Sequence, residues 1–313
     1  MKFNQGISII IISFNTKDII SNCIESILND FDPSMDEIIV VDNASKDGSA
    51  EFIARQFPQV NLFKSEYNRG FSFACNRGYE TAKDRSFLLF MNGDVVIEKG
   101  CLNRLREKMI ADDSIGILSP ELLSPGTHEL IQMSWGWDIT FLGEMLQKTF
   151  APKNISQFRV IRSLASRLQK KSKRVPIIAG ACMIIRRNVF EIIGMMDEGF
   201  ELYFEDADIC LRCRKEGFFV QFEPEIKVFH GLGQSGKDIS NKIELIYRQS
   251  QIHFYRKHNN WLELKLLKAY LWGKFFTKPN FWRDHAFRYW MIKILTESSH
   301  LNLEEDIGFK GLT

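Results

Sequence analysis

A mixed α/β protein, with a mostly parallel sheet covered by helices on both faces, is what this chain predicts from three observations. Over residues 1–125, short β-branched runs alternate with helix-like stretches, the pattern of βαβ units. The first of these runs, Ile7 to Ile12, is almost continuously apolar rather than alternating, as a strand buried on both faces must be. At 313 residues, 45% hydrophobic and 26% charged, the chain can bury a large core and is too apolar to be disordered.

Taken in order, residues 7–14 read as the first strand. Lys2 precedes them, but Asn15, Lys17 and Asp18 follow with no small-residue cleavage site, so a strand is expected and not a signal peptide. A helix is expected at 19–28, a strand at 37–41, a helix at 50–57 and a strand at 62–64. Strands at 86–91 and 115–118 bracket a helix from about 100 to 110. From 124 to 176 the pattern blurs, with Trp135 and Trp137 near its start and an acid-free stretch, 153–174, carrying eight Lys/Arg near its end. Order returns with an apolar run at 175–185, helices at 188–193 and 205–216, and two short strands at 218–222 and 225–229 that end at His230. Residues 241–295 look helical and hold thirteen aromatic residues, with eleven Lys/Arg between 242 and 293 against Glu244, Glu263 and Asp284. The chain therefore divides into an α/β unit, 1–240, and an aromatic, basic helical extension, 241–313.

A spanning helix needs roughly 18–20 consecutive apolar residues, far more than any run here. The six cysteines are scattered, five of them in apolar or helical-looking stretches, as for reduced buried thiols, so the cytoplasm is the expected compartment.

Ligands of open α/β sheets sit beyond the carboxyl ends of the strands, which directs attention to the polar residues there. Asp42 ends the run Ile38-Ile39-Val40-Val41; a carboxylate at that place can accept from a base N–H or a ribose hydroxyl, or merely close an Asx turn with Asn43. Asn92-Gly93-Asp94 follows Phe87–Met91, and two oxygen-bearing side chains at that spacing can share a hard divalent cation or form a plain turn. Glu205, Asp206 and Asp208 crowd the start of a helix just after an aromatic run. They can be a cap with an Asp208–Arg212 pair, but mutual repulsion also raises the proton affinity that a general base near neutral pH requires. His230, before a Gly-rich turn, can offer a ring nitrogen to a metal or serve only as a hydrogen-bonded structural residue. Cys210 and Cys213 form a lone C-x-x-C without a second pair, which argues against zinc.

Jointly, a first strand ending Ser13-Phe14-Asn15, VVDNASKDGS (40–49), NRGFSFACNRG (68–78), FMNGDV (90–95), the block 180–208 and 230–235 resemble the family 2 glycosyltransferases of the GT-A fold, especially their rhamnosyltransferase-like branch. The resemblance covers roughly residues 6 to 236 in the family's order. It implies that Ser13, Phe14, Asn15 and Asp42 hold the nucleoside, with Asn68, Gly70 and Asn92 lining the sugar-nucleotide pocket. It implies Asp94 and His230 as ligands of Mg²⁺ or Mn²⁺ bridging the diphosphate, Asp206 beside Glu205 as the catalytic base, and Asp208 in support. The first position of the family's D-x-D element is Asn92 here, which gives the ion less negative charge. The implied activity is inverting transfer from a nucleotide-diphosphate sugar, dTDP-L-rhamnose first and UDP-sugars next, to a saccharide or lipid-linked saccharide in cell-surface polysaccharide synthesis.

The extension is not explained by that activity. Leu262, Leu266, Ala269 and Trp272 share a helical face near Lys265, Lys268 and Lys274, which suits an anionic membrane surface, a homodimer contact, or packing on the core. Nucleic acid is not an expected partner, since no helix-turn-helix or finger pattern accompanies the charge. A sugar-nucleotidyltransferase would place a Gly-rich basic loop after the first strand, where Ser13-Phe14-Asn15-Thr16 stands instead. The remaining alternative is a non-enzymatic or degenerate peripheral membrane protein of the same fold.

Overall fold

The computed structural model describes residues 5–125, 134–150, 171–231 and 241–297. The basic segment up to Lys170 and the Gly-rich turn beyond Gly231 lie outside the described residues.

Strand β1 (Ile7–Ser13) is buried along its whole length, as its apolar run requires, and pairs in parallel with β2 (Glu37–Asp42) and β4 (Phe87–Asn92). With β3 (Asn61–Lys64), β6 (Ile115–Leu123), β10 (Cys182–Arg186), β11 (Phe219–His230) and β5 (Val95–Ile97) the sheet runs β3-β2-β1-β4-β10-β6-β11-β5, and β8 (Lys173–Arg174) adds to β11. Strands β10, β5 and β8 are antiparallel to their neighbours, so the sheet is mixed but mostly parallel. A separate ribbon joins β7 (Trp135–Gly136) to β9 (Ile177–Ile178).

One face is covered by α1 (Ile20–Leu28), α2 (Ser49–Gln56) and α4 (Cys101–Ala111), whose Ile20, Ile24, Ile27, Ile53 and Leu105 pack on Ile9, Ile11 and Val40. The other is covered by α3 (Gly70–Thr81), α6 (Arg187–Ile192) and α7 (Glu205–Lys215), whose Ala74, Phe190 and Ile209 pack on Ile10, Leu88 and Phe90. The expected α/β architecture is thus present, with differences. The two short strands at 218–222 and 225–229 are one strand, β11, kept continuous across register shifts at Phe219/Val220 and Glu223/Lys227. Helix α3 has no counterpart in the expected elements, because Gly70, Gly78 and Asn76 dilute its apolar periodicity.

Beyond α5 (Phe141–Phe150), the carboxyl-terminal helices are α8 (Asn241–His258), α9 (Trp261–Phe276), α10 (Pro279–Arg283) and α11 (His285–Thr296). They are not a free appendage. Leu245, Ile252, Phe254, Leu267, Leu271 and Met291 form a third core with Phe200, Phe204 and Ala207 of the α/β unit. No helix among the described residues is long and apolar enough to cross a membrane, and all six cysteines are buried free thiols.

Candidate active site

Parallel pairing brings the carboxyl ends of β1, β2 and β4 together: Ser13 lies opposite Asp42, and Ile12 opposite Asn92. The loops that follow are stitched to one another. The Asn15 amide donates to Ser45 Oγ at 2.9 Å, Asn15 Oδ1 accepts from Lys46 N at 2.9 Å, and Thr16 N donates to Ser49 Oγ at 3.0 Å. Ser13 and Thr16 hydroxyls lie 2.7 Å apart. Asn15 therefore holds a left-handed φ of 51° because both its backbone and its side chain are bonded. Phe14, between them, is half-buried.

Asp42 is 2% exposed; its Oδ2 accepts from Ser45 N at 3.0 Å, while Oδ1 is buried without a hydrogen-bond partner. Burial pushes its carboxyl up against the opposing bond from Ser45. A buried acceptor left unpaired at a strand tip is costly unless a ligand N–H or O–H completes it. Beside it, Asn43 donates to Asn68 Oδ1 at 2.7 Å and to the Gly70 carbonyl at 3.1 Å, and Asn68 Oδ1 also accepts from Gly70 N. Gly70 itself has φ +85° and sits so close to the next segment that a Cβ would lie 2.1 Å from the Glu201 carbonyl oxygen. Gly70→Ala is therefore expected to cost about 2–5 kcal/mol, from left-handed strain plus overpacking, measurable by urea denaturation. The sequence-predicted Asn68 and Gly70 thus hold the loop after β2 against the segment that leads to Glu205.

The β4–β5 turn carries Asn92, Gly93 and Asp94. His230, at the end of β11, pairs with Val95 and is thereby brought within 3.3 Å of Asp94 Oδ1, with the Asn92 amide 3.4 Å from the same ring nitrogen. The two predicted metal ligands, far apart in sequence, are neighbours. Among the described residues no cluster of three or more His, Cys, Asp or Glu is present. The donor set fits a hard cation that takes one carboxylate from the protein and fills its sphere with phosphate oxygens and water, as Mg²⁺ does. The imidazole Nδ1 is buried and lacks the hydrogen bond that usually orients a ligating histidine.

The acidic cluster divides into two parts. Glu205 and Asp206 open α7, directly after Tyr203 and Phe204, both at φ 69°. Asp206 Oδ2 accepts from Gly180 N at 3.3 Å and Oδ1 from Ala207 N at 2.8 Å; Glu205 Oε2 is buried with no partner. Desolvation raises both carboxyls, and the Asp206 charge raises Glu205 further, so the pair holds a proton more tightly than ordinary acids do. Asp208 is different. It is fully buried, with Arg212 at 2.6 Å, His258 at 2.6 Å and Lys257 at 2.8 Å. Burial pushes its carboxyl up, but the bonds from His258, Arg212 and Lys257 outweigh that and hold it below the ordinary range. Its structural role is to anchor α7 to α8.

Two features escaped the sequence. The first is the Gly180–Ala181 pair: Gly180 N binds Asp206, and the Ala181 carbonyl accepts from Asn92 N at 3.0 Å, so the acidic pair and the Asp94 turn hang on adjacent residues. The second is α8. Its Ser250 hydroxyl donates to the Leu202 carbonyl at 2.9 Å, Tyr247 and Phe254 stack on Phe204, and His253 and Lys257 bind Asp197. Consecutive left-handed residues persist only where surrounding packing over-determines them, and α8 supplies that packing. No local pattern marks either feature, because each is a contact between distant segments.

The same architecture occurs in known proteins. The mannosyltransferase PcManGT from Pyrobaculum calidifontis, in complex with GDP-Man and Mn²⁺, superposes with a TM-score of 0.55 over 94% of this chain and 88% of that one, at 14% identity. GalNAc-T7 with UDP, GalNAc and Mn²⁺ superposes with a TM-score of 0.57 over 80% of this chain but 47% of that one, at 19% identity. These likenesses establish the GT-A fold. In sequence, the N-acetylglucosaminyl-diphospho-decaprenol L-rhamnosyltransferase of Mycobacterium tuberculosis (strain ATCC 25618 / H37Rv) is 24% identical over 243 residues, 72% of this chain and 76% of that protein. The model of the family described as "Glycosyl transferase family 2" matches residues 8–194, from β1 through α6 and up to the segment that leads to the acidic pair. The chain belongs to glycosyl transferase family 2 and is a glycosyltransferase.

Proposed function

We propose that the protein transfers a hexosyl residue, with inversion, from a nucleotide-diphosphate sugar to a hydroxyl of a saccharide or lipid-linked saccharide used in cell-surface polysaccharide synthesis. L-rhamnose carried on dTDP is the first candidate donor and UDP-sugars are next, in keeping with the relative named an L-rhamnosyltransferase. The acceptor is presented at the cytoplasmic face of an anionic membrane. The observation that carries the reading is the Asp94–His230 contact of 3.3 Å, which puts a carboxylate and an imidazole at the same sheet end as the unpaired Asp42 oxygen.

Asp42 Oδ1 accepts the imide N–H of a thymine or uracil, the donor its buried oxygen lacks. Asn68 and Gly70 fix the loop beneath the nucleotide, and Ser13, Phe14 and Asn15 form its other wall. Mg²⁺ or Mn²⁺ at Asp94 and His230, beside Asn92, would neutralise charge on the departing diphosphate. Asp206 accepts the acceptor hydroxyl's proton as that oxygen attacks the anomeric carbon, and the bond to the nucleotide breaks on the opposite face. A single displacement of this kind inverts the centre and needs no covalent sugar–enzyme intermediate. Burial keeps the proton affinity of Asp206 high, and Asp208 keeps the helix start in place.

Thermal stabilisation by dTDP, UDP, GDP and CMP, each with and without Mn²⁺, tests this. A rise of Tm with dTDP or UDP that requires the metal is expected, at about 1.5 °C per kcal/mol of linkage for a chain of this size. Absence of any nucleotide effect removes the assigned site. Asp42→Asn is expected to remove the preference for pyrimidines, because the Ser45 amide claims the one remaining oxygen and turns the NH2, which cannot accept, toward the imide.

A further inference from the structure

Helix α9 is apolar on two opposite faces. Leu267, Leu271 and Phe275 are buried in the third core, while Leu262, Leu266, Ala269 and Phe276 form a stripe on the far side that is open to solvent. Their spacing places them on one face. The helix is well formed at its start, where Asn260 accepts from Leu262 N and Glu263 N at 3.0 Å each, so the stripe sits on a fixed element. It continues onto α10 through Trp282, whose ring meets Phe276 edge-on at 4.7 Å and whose indole N–H donates to the Phe276 carbonyl. Trp261 is 68% and Phe276 56% exposed, unusual for large apolar side chains that have a core available close by.

The charge around the stripe is predominantly positive. Residues 261–293 contain seven Lys/Arg and two acids. Glu263 is occupied by Asn259 and the Phe141 amide, and Asp284 caps α11 through Phe287 N. Lys265 and Arg283 are exposed on α9 and α10, and Lys278 on the turn between them. Lys265 lies over the Trp261 ring at 4.7 Å and Arg288 over Trp282 at 5.6 Å.

We propose that the outward face of α9, continued by α10, docks on an anionic lipid bilayer, with Leu262, Leu266, Phe276 and Trp282 in the interfacial layer and Lys265, Lys278 and Arg283 among the headgroups. This deepens the reading of a membrane-presented acceptor and rests on it. Exposed Trp and Phe beside snorkelling Lys/Arg is the composition that favours an interface apolar below and wet and negative above. A second copy of the chain is the poorer occupant, because a two-fold contact would set this positive face against itself. The bilayer supplies what both halves of the surface lack, apolar contact and negative charge.

Flotation of the full chain with vesicles tests the proposal. Binding to phosphatidylcholine vesicles containing about a third phosphatidylglycerol is expected to exceed binding to pure phosphatidylcholine by about tenfold or more, since each Lys/Arg near a negative surface adds attraction. The double variant Leu262→Glu, Leu266→Glu should lose about tenfold or more of that binding while keeping the wild-type Tm, because both side chains are already exposed. No binding of the full chain to either vesicle overturns the proposal. So does equal binding by the double variant, or a concentration-dependent dimer that the double variant abolishes. Should deletion of residues 298–313 be needed before vesicles bind, the occupant is that segment and the proposal also fails. The nucleotide-dependent Tm, measured on the same samples without vesicles, reports separately on the transferase reading.

Discussion

Asp206→Asn is expected to abolish transfer, by about 10³-fold or more in kcat, and to leave nucleotide binding at its wild-type strength. The size follows from loss of a general base, which contributes about 10²–10⁴-fold. The sparing of binding follows from position: Asp206 bonds to Gly180 N and Ala207 N, whereas the proposed nucleotide site is built from β1, β2 and the start of α3. Single-turnover kinetics with the donor that stabilises the protein, beside calorimetric binding of its nucleotide, separates the two. Activity near wild type in Asp206→Asn removes Asp206 as the base. The pH profile carries a second signature. The base works deprotonated, so the rate rises with pH through the apparent ionisation of the Glu205–Asp206 pair, at a pH above the ordinary carboxylate range. Burial alone raises Asp206, so Glu205→Gln should leave a single rise still above the ordinary carboxylate range; loss of that rise assigns it to Glu205.

Asp208→Ala has the largest expected effect on stability. It leaves Arg212, Lys257 and His258 facing a buried site without their shared anion, and breaking such a pair costs about 3–5 kcal/mol. Replacement of Asp208 by Asn costs less, because the amide keeps volume and one acceptor. The pH dependence has a fixed sign. A carboxyl held below its unfolded value stabilises the native state above that value, about 3.9, and the contribution is lost as the pH falls through the folded one. The stability difference between wild type and Asp208→Ala should therefore be constant near neutral pH and shrink on acidification below about pH 4. Urea denaturation at several pH values measures it. Since Asp208 is two residues from Asp206 and is held by α8, the variant should also lower kcat more than it raises the KM for the donor. Ser250→Ala, which removes only the bond to the Leu202 carbonyl, should do the same on a smaller scale.

The parallel half of the sheet was legible because its strands are apolar on both faces and its helices amphipathic. Ile7–Ser13 and Phe87–Asn92 need no partner to be recognised as buried strands. Helix α3 was not legible, because a helix that packs tightly against a sheet uses glycine, alanine and asparagine where a looser one uses leucine. Asp42, Asp94, Asp206 and His230 stood out as strand-end or helix-start polar residues. Their grouping rested on family resemblance until pairing of β11 with β5 put His230 beside Asp94. Asp208 could be assigned to either chemistry or an ion pair, and only its enclosure by Arg212, Lys257 and His258 separates it from Glu205 and Asp206.

By itself the sequence determined the α/β class, the strand tips where a ligand must sit and the chemical character of the groups placed there, because periodicity and turn chemistry are local properties. The tertiary structure decided which of those groups meet: that Gly180 and Ala181 tie the acidic pair to the Asp94 turn, that α8 holds the left-handed Tyr203–Phe204 corner, and that α9 buries one apolar face and exposes the other. Those are contacts between segments far apart along the chain, and pairing across such distances is set by the packing of the whole fold and not by any window of residues.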